Sequence, residues 1–149
     1  AGVSKATMYR RWSTKTDLII SALQTTPPLE PIDTGSLRTD LKELLNQFLA
    51  VAESTPMVEL LAALAAERQR TPHLRTSLDP LVADRNRAFT QVFQYGVARG
   101  EVAPDADLAT ATSLAGGAVV SRLFFGGPTD PAAIDRLVEM VALAVEPSH

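Results

Sequence analysis

Cysteine is absent from the 149 residues. That excludes disulfides, thiol nucleophiles and thiolate metal ligands, and it suits a reducing, cytoplasmic setting. Histidine is nearly absent: His73 and His149 stand far apart, one in a loop and one at the terminus, so no metal site is expected. Aromatic residues make up 5% of a chain that is 46% hydrophobic, so any core must be aliphatic. Alanine and leucine in bulk favour helix, because they lose little rotamer freedom there. No apolar run approaches the ~20 residues needed to cross a bilayer, and no signal-peptide pattern opens the chain, so no membrane partner is expected. No carboxylate pair, nucleophile beside a base, phosphate-cradling loop or metal cluster stands out. The chain is therefore not read as an enzyme, and no catalytic residue, metal or cofactor is assigned.

What charge there is has an uneven distribution. In residues 1–24, Lys5, Arg10, Arg11 and Lys15 stand against Asp17, giving +3. The net charge of −3 then leaves −6 on the remainder. A basic head on an acidic body points to one end that meets an anionic partner.

Punctuation divides the chain into helices. Ser4 caps a helix over residues 5–12, with Val3 and Met8 at the spacing of a hydrophobic staple. Thr14 caps a second helix that reaches about Leu23. Three prolines and a glycine within residues 25–36 make that segment a linker. Ser36 caps a helix over 37–54, and Pro56 opens another that ends near Arg70. The second of these is apolar almost all round and is expected to be buried on several sides. A long stripe over 74–99 contains Pro80 and is read as one bent helix, stopped at Gly100. A small-residue helix spans 106–125, with Gly116-Gly117 read as a point of close helix approach. Asp130 and Pro131 start the last helix, to about Val145. The expectation is an all-α fold of about seven helices.

The head carries the chemistry. Residues 1–12 place a small residue and a glycine before a polar cap and a short basic helix, the requirements of a helix that enters the major groove. Lys5, Thr7 and Arg10 share the outward face, while Met8 and Trp12 face the opposite way. Arginine is the side chain best suited to reading guanine. Tyr9, Arg11 and Lys15 suit phosphate contacts, Lys15 at a helix start where backbone N–H groups also favour an anion.

The run Gly-Val-Ser-Lys-Ala-Thr-Met-Tyr-Arg-Arg-Trp-Ser-Thr-Lys-Thr-Asp-Leu-Ile resembles the recognition helix and following helix of TetR-family transcriptional regulators. Residues 1–23 carry the resemblance densely; the later helical chain, split at Gly-Gly-Pro-Thr-Asp-Pro, resembles the family's C-terminal half less specifically. The resemblance implies an all-α, homodimeric, ligand-responsive repressor. Its partners would be a double-stranded DNA operator and a small-molecule effector. It carries the DNA contacts to Lys5, Thr7, Tyr9, Arg10, Arg11 and Lys15. The family's first two helices would lie before Ala1, and the missing initiator methionine favours their belonging to the full protein.

On this reading, residues 1–24 are the C-terminal part of a helix-turn-helix domain, 25–36 a linker, and 37–149 a helical ligand-binding and dimerisation domain. Phe48, Phe89 and Phe93 are the expected ligand-pocket walls, though core packing explains them equally well from sequence. Of the nearby polar residues Asn46, Gln47, Arg85, Asn86, Gln91 and Gln94, most are expected to be solvated and one or two to offer oriented contacts to a ligand. Ala115, Gly116, Val119, Leu137, Val138 and Val141 are the expected dimer interface. The alternative is a helical ligand-binding or protein-interaction module without DNA binding in this truncated form.

Overall fold

The computed structural model describes residues 14–72 and 75–148. Among them lie six helices and no strand: α1 (Lys15–Thr25), α2 (Leu37–Ser54), α3 (Met57–Arg70), α4 (Arg75–Arg99), α5 (Leu108–Phe125) and α6 (Pro131–Val145). The expected helix over 5–12, His73 and His149 lie outside the described residues.

Helix starts follow from local chemistry. The first-turn N–H groups of a helix have no partner within it, and a preceding side-chain oxygen can accept from one of them. Thr14 accepts from Asp17 N at 3.0 Å, Ser36 from Thr39 N at 3.4 Å, Asp107 from Thr110 N at 3.0 Å and Asp130 from Ala133 N at 3.1 Å. Pro80 lies inside α4, which continues through it as one helix. Gly100 and Gly126 take φ of 76° and 81°, the left-handed backbone that ends α4 and α5.

Helix α2 is the centre of the packing and meets α3, α4, α5 and α6. Its Leu41, Leu44 and Leu45 are fully buried, against Val92 and Phe93 of α4, Val119 of α5 and Ile134 of α6 in the same core. Helix α1 packs on α3 and buries Ile19 and Leu23. Although α5 is long and apolar enough by composition to cross a membrane, it packs here against α2, α3, α4 and α6. Lys42 reaches Asp135 at 2.7 Å, and Arg38 reaches both Glu139 and Glu146 at 2.7 Å, so charges stitch α2 to α6.

A partly buried ionic cluster, centred on Asp40, joins α2 to the end of α4. Asp40 is fully buried and accepts from Arg99 Nη2 at 2.9 Å, and from Thr34 N and Oγ1 at 2.7 and 2.6 Å. Arg99 also pairs with Asp33 and donates from Nε to Glu101 at 2.6 Å. The hydrogen bond to Glu101, more than any other contact, pushes the Arg99 pKa up. The other Glu101 oxygen accepts from Leu37 N at 2.8 Å, so the start of α2 is also held from across the fold.

Two expectations are corrected within the protomer. Helix α3 is not buried on several sides: only Met57 and Leu64 are. Its apolar Leu61 instead faces a cavity, and its outer side meets solvent. Gly116-Gly117 is not a close approach between helices of one protomer. A Cβ on Gly116 would meet the Phe89 ring at 3.7 Å, an ordinary contact, and one on Gly117 would meet nothing within 4 Å. The close approach is at Gly96, where a Cβ would lie 2.6 Å from Val102 Cγ2. The segment read as a linker is held down by hydrogen bonds. Glu30 N donates to Gln47 Oε1 at 3.0 Å, and Arg85 donates to the Thr26 and Pro27 carbonyls, both at 3.1 Å.

Candidate ligand cavity and the helix that leads to it

Between α1 and α5 lies a cavity of about 320 Å³. Positions one turn apart build each wall, since such residues share a helix face. Helix α4 supplies Leu81, Arg85 and Phe89 with Val82 and Asn86 beside them, and α5 supplies Thr112, Gly116 and Val120 with Ser113 and Gly117. Phe48 and Val51 of α2 and Met57, Leu61 and Leu64 of α3 close the apolar side. Leu23 of α1 and Pro27 and Leu29 beyond it complete the lining. The two glycines leave open the space that side chains there would fill. An apolar hollow with a few fixed polar groups is the usual form of a small-molecule site.

The polar groups are unequal. Ser113 Oγ donates back to the Ala109 carbonyl at 3.0 Å. Thr112 is 5% exposed, and its Oγ1 has no hydrogen-bond partner. A buried hydroxyl without a partner carries its full desolvation cost. Arg85 is half-buried. Burial pushes its guanidinium pKa down, with the nearby Asp84 opposing. Asp84 itself pairs with Arg87 at 3.5 Å.

Of the expected pocket residues, Phe48 and Phe89 line the cavity. Phe93 does not: it sits one turn further along α4, fully buried in the core. Of the polar residues considered, Arg85 and Asn86 are in the lining. Thr112 and Ser113 were missed, and the signal for them was a hydroxyl pair one turn before a glycine pair.

The expected dimer residues are mostly buried within the protomer. Ala115 and Val119 are fully buried within the protomer, and Leu137, Val138 and Val141 are 8%, 5% and 3% exposed. They are spent on the protomer's own core and are not surface. Gly116 faces the cavity. The apolar residues that α5 and α6 do expose are Leu114, Phe125, Met140 and Leu143.

Of the expected DNA contacts, Lys5, Thr7, Tyr9, Arg10 and Arg11 lie outside the described residues. Lys15 is the first residue of α1, its side chain 60% exposed and 4.0 Å from Glu67 on α3. One short helix therefore carries Lys15 at its start and a cavity wall, Leu23, near its end.

A family model described as "Tetracyclin repressor-like, C-terminal domain" matches residues 31–141. The chain belongs to the TetR family of transcriptional regulators. The "DNA-binding transcriptional repressor TetR" of Mycobacteroides abscessus is 34% identical over 152 residues, covering 97% of this chain and 78% of that protein. An "uncharacterized HTH-type transcriptional regulator" of Mycobacterium bovis is 30% identical over 151 residues, covering 99% of this chain and 73% of its own. The crystal structure of the TetR family transcription regulator SCO0332 superposes with a TM-score of 0.73 at 31% identity, over 99% of this chain and 83% of the other. This TetR-family chain is thus a DNA-binding regulator with the all-α fold of its relatives.

Proposed function

We propose that this TetR-family regulator is a repressor that leaves its operator when a small molecule fills the cavity. The observation that carries the reading is the shared helix. α1 follows directly on the basic head, and α1 and the strap beyond it put Leu23, Pro27 and Leu29 into the cavity wall. A ligand that reshapes that wall moves the seat of α1.

In this reading residues 1–24 belong to the DNA-reading domain, 25–36 are the strap, and 37–149 bind ligand and partner. Lys5, Thr7 and Arg10 face the bases; Tyr9, Arg11 and Lys15 hold phosphates. Two protomers pair through the outward faces of α5 and α6, where Leu114, Met140 and Leu143 are 48%, 71% and 57% exposed. A four-helix bundle across a two-fold axis covers them, and sets the two heads one DNA turn, about 34–36 Å, or a multiple apart. The protein acts in the cytoplasm, where the operator is.

The switch is differential binding. Only a ligand that prefers the released state shifts the equilibrium, and moving it from 1:99 to 99:1 takes about 5.5 kcal/mol of preference. Reciprocity then requires operator DNA to weaken ligand binding by the same factor. The test uses the full-length protein and an operator selected from random duplexes. Arg10→Ala should relax specificity at one base pair, costing about 1–3 kcal/mol, whereas Lys15→Ala should weaken all sites alike and lower the salt dependence. Unchanged operator affinity in both variants refutes the DNA-contact assignment. Ligand affinity that is equal with and without operator refutes the switch.

A further inference from the structure

The cavity lining includes a cation with no ion-pair partner among the described residues. Arg85 has five N–H donors, of which two are used, one on the Thr26 carbonyl and one on the Pro27 carbonyl. Among the described residues no carboxylate pairs with it, and the adjacent Asp84 turns to Arg87 instead. The walls around it are apolar: Leu81, Val82 and Phe89 from its own helix, Leu29 from the strap. A charge that is partly removed from water and unpaired is costly unless something of opposite sign arrives. At a second point in the same cavity, Thr112 Oγ1 is buried and unpartnered.

The two polar points lie at opposite ends. The pairs Gly96–Val102 and Phe89–Gly116 nest one inside the other, so α5 runs back along α4. Arg85 is one turn before Phe89 on α4, and Thr112 one turn before Gly116 on α5. In antiparallel helices those steps diverge, and two turns amount to ~11 Å along the axes. Phe48, Val51 and Phe89 supply apolar lining in the same cavity.

We infer that the effector of this cavity is an amphipathic monocarboxylate, its carboxylate on Arg85, its apolar body across Phe89, and a distal polar atom on Thr112. This rests on the reading of the cavity as the effector site and names the effector's class. A single guanidinium matches a single negative charge, and its planar fork matches the two carboxylate oxygens. The same pairing supplies the switch. A charge-assisted bond to a carboxylate outcompetes bonds to neutral carbonyls. An arriving carboxylate therefore competes with the Thr26 and Pro27 carbonyls for Arg85 and loosens the strap immediately after α1.

Three probes test this on the full-length protein by calorimetry and by operator binding: decanoate, its neutral amide decanamide, and ω-hydroxydecanoate. Decanoate should bind about ten- to a hundredfold more tightly than decanamide, the worth of a hydrogen-bonded charge. ω-Hydroxydecanoate should bind more tightly still, and decanoate but not decanamide should release operator. Arg85→Gln should abolish the preference for carboxylate over amide, and Thr112→Val the preference for the ω-hydroxyl. The comparison of decanoate with decanamide needs no variant, so it stands even if Arg85→Gln misfolds. Equal binding of decanoate and decanamide overturns the carboxylate assignment, and if both still release operator the effector cavity itself survives. Failure of both to bind overturns the assignment too, and the cavity reading is then judged by the operator linkage of any other ligand.

Discussion

Alanine at positions 116 and 117 should make this protein more stable and a poorer receptor. Both glycines lie mid-way along α5, and neither takes a positive φ, so alanine fits the backbone without strain. A Cβ at 116 would touch Phe89 at 3.7 Å, and one at 117 would touch nothing within 4 Å, so neither clashes. What remains is the helix-interior cost of glycine, about 1 kcal/mol per residue relative to alanine. Gly116→Ala with Gly117→Ala should therefore stabilise the unliganded protein by about 2 kcal/mol, which at this chain length is roughly 4–8 °C in Tm. Both methyl groups enter the lining of the 320 Å³ cavity, so binding of decanoate or decanamide should weaken as the melting temperature rises. Calorimetric melting and ligand titration on the same variant read both effects. A melting temperature that is unchanged or lowered refutes the argument, because it would mean that this stretch of α5 is not relaxed helix beside open space.

Three other perturbations have definite outcomes. Arg99→Ala strands the fully buried Asp40 with only its two bonds from Thr34, and should cost about 3 kcal/mol by thermal melting, the lower end for a broken buried pair; a loss well under 1 kcal/mol would show that the cluster contributes nothing. Arg38 holds the Glu139 carboxyl below its ordinary pKa, chiefly by hydrogen bonding. That contribution is present above the ordinary carboxylate range and is lost as pH falls through the lowered value, so Glu139→Gln should flatten the acid limb of the Tm–pH curve. Leu143→Glu adds a charge to a side chain 57% exposed in the protomer and should yield folded monomer by light scattering, whereas Val138→Glu, at a position 5% exposed, should unfold the chain; a dimer that persists in the first variant removes α6 from the interface.

The helices were legible because their boundaries are local events. The caps at Thr14, Ser36 and Asp130 and the left-handed turns at Gly100 and Gly126 are each decided within a few residues. Phe89 and Phe93 show where that legibility stops. They occupy the same face of α4 one turn apart, yet one meets a hollow and the other a packed core, and only the arrangement of α2, α3 and α5 around them decides which. The burial of the expected dimer residues has a related cause. Leu137, Val138 and Val141 form the stronger apolar stripe of α6, and the protomer's own core takes the stronger stripe first, leaving Met140 and Leu143 outside. The cluster of Asp33, Asp40, Arg99 and Glu101 leaves no periodic trace, since its members come from distant parts of the chain.

The bond from Leu37 N to Glu101 spans 64 residues, and it bears on how the protein is made. At roughly 5–20 residues per second, a ribosome that has just delivered the start of α2 needs several more seconds to deliver the carboxylate that holds it. The partners of Arg38 at Glu139 and Glu146 come later still, at the far end of the chain. Throughout that interval the leucine stripe of α2 has no α4, α5 or α6 to cover it. The basic head leaves the ribosome before the body, and the body that seats α1 is completed only when α6 arrives. A polypeptide cut short before α6 therefore releases a basic head attached to an unfinished and adhesive core, a species for chaperones and proteases.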